Sequence, residues 1–259
     1  MKIKNYKGTY AYQCDIGMVR KTNEDRVKGM VNSFNNVLLV VADGMGGHKK
    51  GEYASNEVVT FLSKEFKRKA RFTSFFDAHF WLCSTVKKIN KNIFNLQDNN
   101  EDYRGMGSTI CVALIYKRRL MVLNAGDSRC YILKNNKLEQ ITEDQTYVRY
   151  LINSGQINEK EALTHPKRHY LTNAIGLFPT FSYDLNIYDY HGESLFLCSD
   201  GLYNNVSFSD IEANLRSNNS VDDKINSLVN LANYNGGSDN ISCILWESLD
   251  DQSKWFNRW

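Results

Sequence analysis

Several short segments of this chain are apolar at almost every position and rich in β-branched residues. They are "NVLLVVAD" (36–43), "STICVALIY" (108–116), "LMVLNAG" (120–126), "RCYIL" (129–133), "SLFLCSD" (194–200) and "NISCILWE" (240–247). A strand with one wet face alternates apolar and polar residues, whereas a strand covered on both faces does not need to. Runs of this length without alternation therefore demand sheets with cover on each side. Helical patterns between them can supply it. From Glu52 to Lys67, the residues Ala54, Val58, Phe61, Leu62 and Phe66 share one helical face. Phe75, Phe76, Leu82, Val86, Ile89 and Ile93 make a second such pattern, and Val221, Ile225, Leu228, Val229 and Ala232 a third. Ser220 stands before the third with Asp223 three residues on, a capping arrangement.

No Pro- or Gly-rich linker and no repeat divides the 259 residues, so one domain spanning 1–259 is expected. The expected architecture is α+β, with paired sheets and two or more layers of helix. Both prolines, Pro166 and Pro179, fall in the polar stretch 156–193, which reads as a surface excursion. Hydrophobic residues at 42% exclude a disordered chain, and a net charge of +3 without a basic stripe gives no reason to expect nucleic acid. No segment is long and apolar enough to span a membrane, and the start lacks the apolar run of a signal peptide. The six cysteines show no CxxC spacing, and Cys111, Cys198 and Cys243 lie inside apolar runs. Reduced thiols, no structural zinc and a cytoplasmic location follow as expectations.

Acids recur where the strands end. Asp43 closes "VVAD", Asp200 closes "LFLCSD", Asp127 follows "LMVLNAG", and Asp239 precedes "NISCILW". Asp25 closes the polar loop "DIGMVRKTNED". A lone Asp–Gly is ordinarily a turn, but here Asp43–Gly44 and Asp200–Gly201 repeat the arrangement, Gly126–Asp127 reverses it, and Gly237 stands two before Asp239. Mg²⁺ and Mn²⁺ take oxygen ligands in near-octahedral geometry and are held by a few carboxylates with water. Glycine next to such an acid lets a backbone carbonyl approach the ion. Four or five acids exceed the need of one ion and suit two, which together activate water and clamp a phosphoryl oxygen. Arg20, five residues before Asp25, suits a bidentate grip on phosphate.

In order along the chain, "DIGMVRKTNED", "VADGMGGHKKGEYAS", "GMGSTI", "NAGDSRCYIL", "ITEDQT", "HPKRHYLTNAIG", "LCSDGL" and "GGSDNIS" resemble the signature blocks of the protein phosphatase 2C family, in its bacterial Ser/Thr phosphatase branch. The resemblance runs from about Thr9 to Trp246. It implies a four-layer sandwich: two central antiparallel β-sheets flanked by α-helices, with a flap at about 146–189 beside the active site. It implies that Asp43 bridges two Mn²⁺ or Mg²⁺ ions, with the Gly44 carbonyl on one. Asp25, Asp200 and Asp239 would complete the pair, Arg20 would hold the substrate phosphate, and Asp127 would help hold a third ion. The implied activity is hydrolysis of phosphoserine and phosphothreonine in proteins by a two-metal-activated water, opposing a Ser/Thr kinase. A monomer is expected. The alternative is a regulatory pseudophosphatase that binds phosphoproteins or a kinase with little turnover; the presence of all four principal acids ranks it second.

Departures from the family pattern are few. Lys49 and Lys50 replace small residues after DGMGGH, Asn173 stands where arginine is common, and Asn204 stands where many eukaryotic members have aspartate. His48 is a candidate substrate contact, since its pKa lies near neutrality; a local hydrogen-bonding role is its alternative. Ser108 lacks the GxSxG context of a nucleophile and reads as structural. The GMGG loop lacks the Lys-Ser/Thr ending of a P-loop. Lys67–Arg68–Lys69 suits the end of a helix. The segment 250–259, with Trp255 and Trp259, is expected to be a short docked tail.

Overall fold

The computed structural model describes residues 6–47, 49–69 and 71–249. His48 and the segment 250–259 with Trp255 and Trp259 lie outside the described residues. In chain order the strands and helices are β1 (Gly8–Asp15), β2 (Asp25–Val31), β3 (Val37–Met45), α1 (Lys49–Lys69), α2 (Phe75–Asn99), β4 (Gly107–Ser108), β5 (Ile110–Tyr116), β6 (Arg119–Ala125), β7 (Arg129–Lys134) and β8 (Lys137–Gln140). They continue with α3 (Tyr147–Asn153), α4 (Glu159–Thr164), β9 (Asp184–Asp189), β10 (Ser194–Cys198), α5 (Asp200–Tyr203), α6 (Phe208–Arg216), α7 (Val221–Tyr234) and β11 (Ile241–Ser248).

Two antiparallel sheets result, ordered β1-β11-β10-β7-β8 and β2-β3-β5-β6-β9, with β4 paired to β3. The unbroken apolar strands are explained by where their two faces go. In β3, Leu38, Val40 and Ala42 pack with α1 and α2, while Val37, Leu39 and Val41 face the other sheet. β5 divides the same way: Ile110, Val112 and Leu114 toward the helices, Cys111, Ala113 and Ile115 toward the sheet. On the far side, Cys243 and Leu245 of β11 pack with Ile211 and Leu215 of α6 and Leu228 and Val229 of α7, while Ile244 and Trp246 turn inward. The layers are helix, sheet, sheet, helix, as the resemblance implied. Each large aliphatic side chain buried this way contributes roughly 1.5–3 kcal/mol of transfer free energy.

The helical faces fall where periodicity placed them, with one exception. Ala54, Val58, Leu62 and Phe66 of α1 and Leu82, Val86, Ile89 and Ile93 of α2 are buried. Phe76, expected on the inner face of α2, is 79% exposed; its neighbour Phe75 takes the inward position. Ser220 caps α7 by accepting from Asp223 N at 3.1 Å. The polar excursion is shorter than its composition suggests, because residues 184–189 form β9 and pair with β6. β9 is an edge strand, wet along much of its length, which is why its sequence "DLNIYD" lacks an apolar run.

Candidate metal centre

Antiparallel pairing sets Asp25, the first residue of β2, directly across from Asp43 near the end of β3. Asp25 therefore does not close a loop, as its polar surroundings suggested; it opens a strand whose Asp25, Val27 and Gly29 face inward. At this same end of the sandwich, Asp200 starts α5 just beyond β10, Asp239 precedes β11, and Asp127 sits in the turn from β6 to β7. The two sheets thus deliver five acids to one edge.

Backbone and neighbouring polar groups hold each acid. Asp43 N donates to Thr109 Oγ1 at 2.9 Å, and its carbonyl accepts from Thr109 N at 2.8 Å and Ser108 Oγ at 3.1 Å. Ser108 is structural, as its context suggested. Ser199 Oγ donates to Asp25 Oδ2 at 2.6 Å and ties β10 to β2 across the sandwich. Asn240 accepts from Glu24 N at 2.8 Å and donates to the carbonyls of Ile16 and Thr22, pinning the loop that carries Arg20. Gly44 allows no side chain, since a Cβ there would run into the carbonyls of Gly51 and Glu24. Gly46 and Gly47 turn the chain into α1 with φ of 115° and 79°, values costly for other residues.

The electrostatics report an unbalanced negative site. Burial, then the neighbouring Asp25, Asp200, Asp127 and Asp239, drives the Asp43 carboxyl well above its ordinary range. Asp25, fully buried, is pushed up to about 7 by burial and by Asp200 and Asp239, against the Ser199 hydrogen bond. Burial and Asp239 raise Asp200 to about 6, opposed by Arg20 and Arg129. Asp127 is raised by burial, Asp200 and Asp144. Acids that raise one another are short of positive charge. Asp25 Oδ1 is buried with no hydrogen-bond partner, an arrangement that disfavours itself unless something binds there.

These features fit divalent ions. Among the described residues, no three His, Cys, Asp or Glu side chains close on one ion unaided. Mn²⁺ and Mg²⁺ do not require that, because waters and backbone carbonyls complete their shells. Asp43, Asp25, Asp200 and Asp239 with the Gly44 carbonyl could hold such ions, and Asp127 beside Asp200 could serve another.

Arg20 stands at the mouth, and its Nη2 donates to Asp239 Oδ2 at 2.7 Å. The chain's unusual residues find local partners. Lys50 Nζ donates to the Arg104 carbonyl at 3.2 Å, and Asn204 Nδ2 to Asp200 Oδ2 at 3.1 Å. Residues that sequence reasoning missed include Ser199 and Asn240, each next in sequence to an acid already singled out. His169 is another: it comes from the excursion, and its Nδ1 is 4.0 Å from Asp200 Oδ2. Behind the acids, Arg129 makes a bidentate pair with Asp144 at 2.7–3.2 Å and stacks 3.5 Å over the ring of Tyr203. Tyr203 in turn donates to the Asp127 carbonyl at 3.1 Å.

Residues 19–245 match the family description "Protein phosphatase 2C". The serine/threonine phosphatase stp of Listeria welshimeri is 35% identical over 237 residues, 91% of this chain and 94% of that one. A crystal structure of a bacterial serine phosphatase superposes with a TM-score of 0.88 at 35% identity, over 95% of this chain and 100% of the other. The catalytic domain of the phosphatase PstP, solved with 2 manganese ions, superposes with a TM-score of 0.82 at 32% identity, over 94% of this chain and 99% of the other. This chain belongs to the protein phosphatase 2C family. Its activity is that of a Ser/Thr protein phosphatase, and no helix among the described residues is long and apolar enough to cross a membrane.

Proposed function

We propose that the five-acid edge is a two-metal centre that hydrolyses phosphoserine and phosphothreonine in proteins, with Asp127 serving a third ion. The observation that carries this reading is the Asp25–Asp43 cross-strand pair, Asp25 buried and Asp43 half-buried, with Asp25 Oδ1 unpartnered and the acids raised by one another. Mn²⁺ or Mg²⁺ held by these acids would supply the Lewis acidity that lowers the pKa of water and offsets charge on the phosphoryl oxygens. The manganese-bound PstP relative supports that choice of metal. The protein's part is positioning. Asp43 lies between the other acids with its backbone locked on both sides, and Asp25 is oriented by Ser199. Arg20 exchanges Asp239 for the substrate phosphate, a planar donor well matched to two phosphoryl oxygens. The excursion between β8 and β9 forms the flap beside the cleft, where it contacts the protein part of the substrate.

The chain is read as a single-domain monomer that opposes a Ser/Thr kinase in the cytoplasm. Its six free cysteines suit a reducing compartment. The test is hydrolysis of a phosphothreonine peptide with Mn²⁺, with EDTA, and by D43A and D200A. Turnover that needs Mn²⁺ and is lost in both variants is the expected result. A folded, Mn²⁺-loaded wild type that binds the peptide without turnover would establish the pseudophosphatase instead.

A further inference from the structure

Gln145 sits where the excursion leaves the sandwich and bonds to each segment that meets there. Its N–H donates to the Gly126 carbonyl at 2.9 Å, and its own carbonyl accepts from Thr172 N at 2.8 Å. Its side-chain Oε1 accepts from Gly126 N at 3.1 Å and from Asn173 Nδ2 at 2.8 Å. Its Nε2 donates to Asp184 Oδ2 at 2.7 Å. One residue thereby grips the turn that carries Asp127, the returning limb of the excursion, and the first residue of β9. Asn173 extends the grip by donating to the Ser182 carbonyl at 2.8 Å. Gly126 lies at φ 111° and has no side chain of its own to hold the turn.

The position calls for a neutral amide. Its oxygen must accept two N–H groups while its nitrogen donates to a carboxylate, a combination that only Asn or Gln provides. A shorter Asn would not reach, and a Glu would set one carboxylate against another.

We propose that Gln145 is a positioning residue that locks the excursion to the Asp127 turn. Its one side chain then fixes the wall that carries His169 beside Asp200 against that turn. This rests on reading the acids as the metal centre and the excursion as the wall that meets substrate. A phosphopeptide meets that wall, whereas a small aryl phosphate reaches only the metals and Arg20.

The test compares the full chain with Q145E, D184N and Q145E/D184N. In Q145E the lost donor and the new repulsion raise the KM for a phosphothreonine peptide about tenfold. The KM for an aryl phosphate stays within about twofold of wild type, because the small substrate does not touch the wall. Tryptic cleavage after the exposed Lys160, Lys167 and Arg168 accelerates about tenfold as the excursion loosens. D184N alone changes little, since an amide oxygen still accepts from Gln145. The double variant reverses donor and acceptor, keeps the net charge, and returns both the peptide KM and the tryptic rate to within about twofold of wild type. Should Q145E not fold, Q145M removes the same side-chain bonds without adding charge and carries the same expectations. Wild-type tryptic rates in Q145E, or equal losses on both substrates with no rescue in the double variant, would overturn the proposal. A wild type without Mn²⁺-dependent turnover would sink the phosphatase mechanism, while the tryptic rates would still decide the role of Gln145.

Discussion

Replacing Ser199 by Ala removes one oxygen and breaks two contacts of different kinds. Ser199 Oγ donates to Asp25 Oδ2 at 2.6 Å and accepts from Ser242 N at 3.0 Å, all within the buried interior. The first contact is a hydrogen bond to a charged group, worth about 1.5–3 kcal/mol in favour of the ionised carboxyl. Asp25 is already pushed up to about 7 by burial, and without the serine it holds its proton more strongly. A divalent ion must displace that proton, so the lost energy appears as weaker metal binding. At about 1.4 kcal/mol per tenfold, Mn²⁺ affinity falls roughly tenfold to a hundredfold. The second contact leaves a buried N–H unpaired, which costs about 1–3 kcal/mol of stability. In a chain of this size that lowers Tm by about 3–10 °C. The assay is a Mn²⁺ titration of phosphopeptide hydrolysis, with calorimetric Mn²⁺ binding and thermal melting on the same samples. The expected result is a higher Mn²⁺ half-saturation point with kcat recovered at saturating metal. A lower Tm with Mn²⁺ affinity unchanged within about twofold would refute the reasoning and leave Ser199 as a packing residue.

In EDTA, the melting temperature should fall as pH rises from 5 to 8. Asp25 and Asp200 have folded-state pKa values of about 7 and 6, above the usual 3.9 or so. The folded chain therefore binds more protons than the unfolded one between about pH 4 and 7, and stability drops across that window. Mn²⁺ should flatten the profile, and a flat or rising profile in EDTA would count against the buried cluster. Asp25→Asn should raise the Tm in EDTA at pH 8 while abolishing Mn²⁺-dependent turnover; unchanged turnover would remove Asp25 from the centre. Gly44→Ala drives a methyl group toward the Gly51 and Glu24 carbonyls and should destabilise by about 1–3 kcal/mol, read as a lower Tm together with weaker Mn²⁺ binding. Leu82→Ala, fully buried between α2 and the sheet, should cost about 2–5 kcal/mol in denaturant melts. Its Mn²⁺ half-saturation should stay at the wild-type value, and a shift would show that core packing and the acids are not separable.

The doubly covered strands β3, β5, β6, β7, β10 and β11 were legible because burial on two faces leaves an apolar mark on every residue. Strands with one wet face left no such mark. β1 reads "GTYAYQCD", with only Ala11 fully buried, and β2 reads "DRVKGMV", with Asp25, Val27 and Gly29 facing inward. An aspartate and a glycine in inward positions disguise β2 as loop, so Asp25 is legible through the family pattern but not as a strand residue. Phe76 shows the converse limit, since two adjacent aromatics cannot both face the same core and the sequence does not say which will. Asp43, Asp127 and Asp200 are legible as acids beside glycine, and Asp25 and Asp239 through the family pattern, but the groups that orient them are not. Ser199, Asn240 and Gln145 act through hydrogen bonds to residues 19 to 224 positions away, and no local pattern announces such a bond.

The facing of Asp25 and Asp43 is a matter of strand register. Side chains alternate along a strand, so a slip of one residue between β2 and β3 would turn Asp25 out of the sandwich and leave Asp43 opposite a neighbour. What prevents the slip is the inward set of Val27, Val37, Leu39 and Val41, none of which touches the chemistry. The aliphatic residues between the sheets are in this sense the ruler against which the two carboxylates are aligned. Substitutions among them are then errors of measurement as well as of packing, and the metal is where such an error would first be felt.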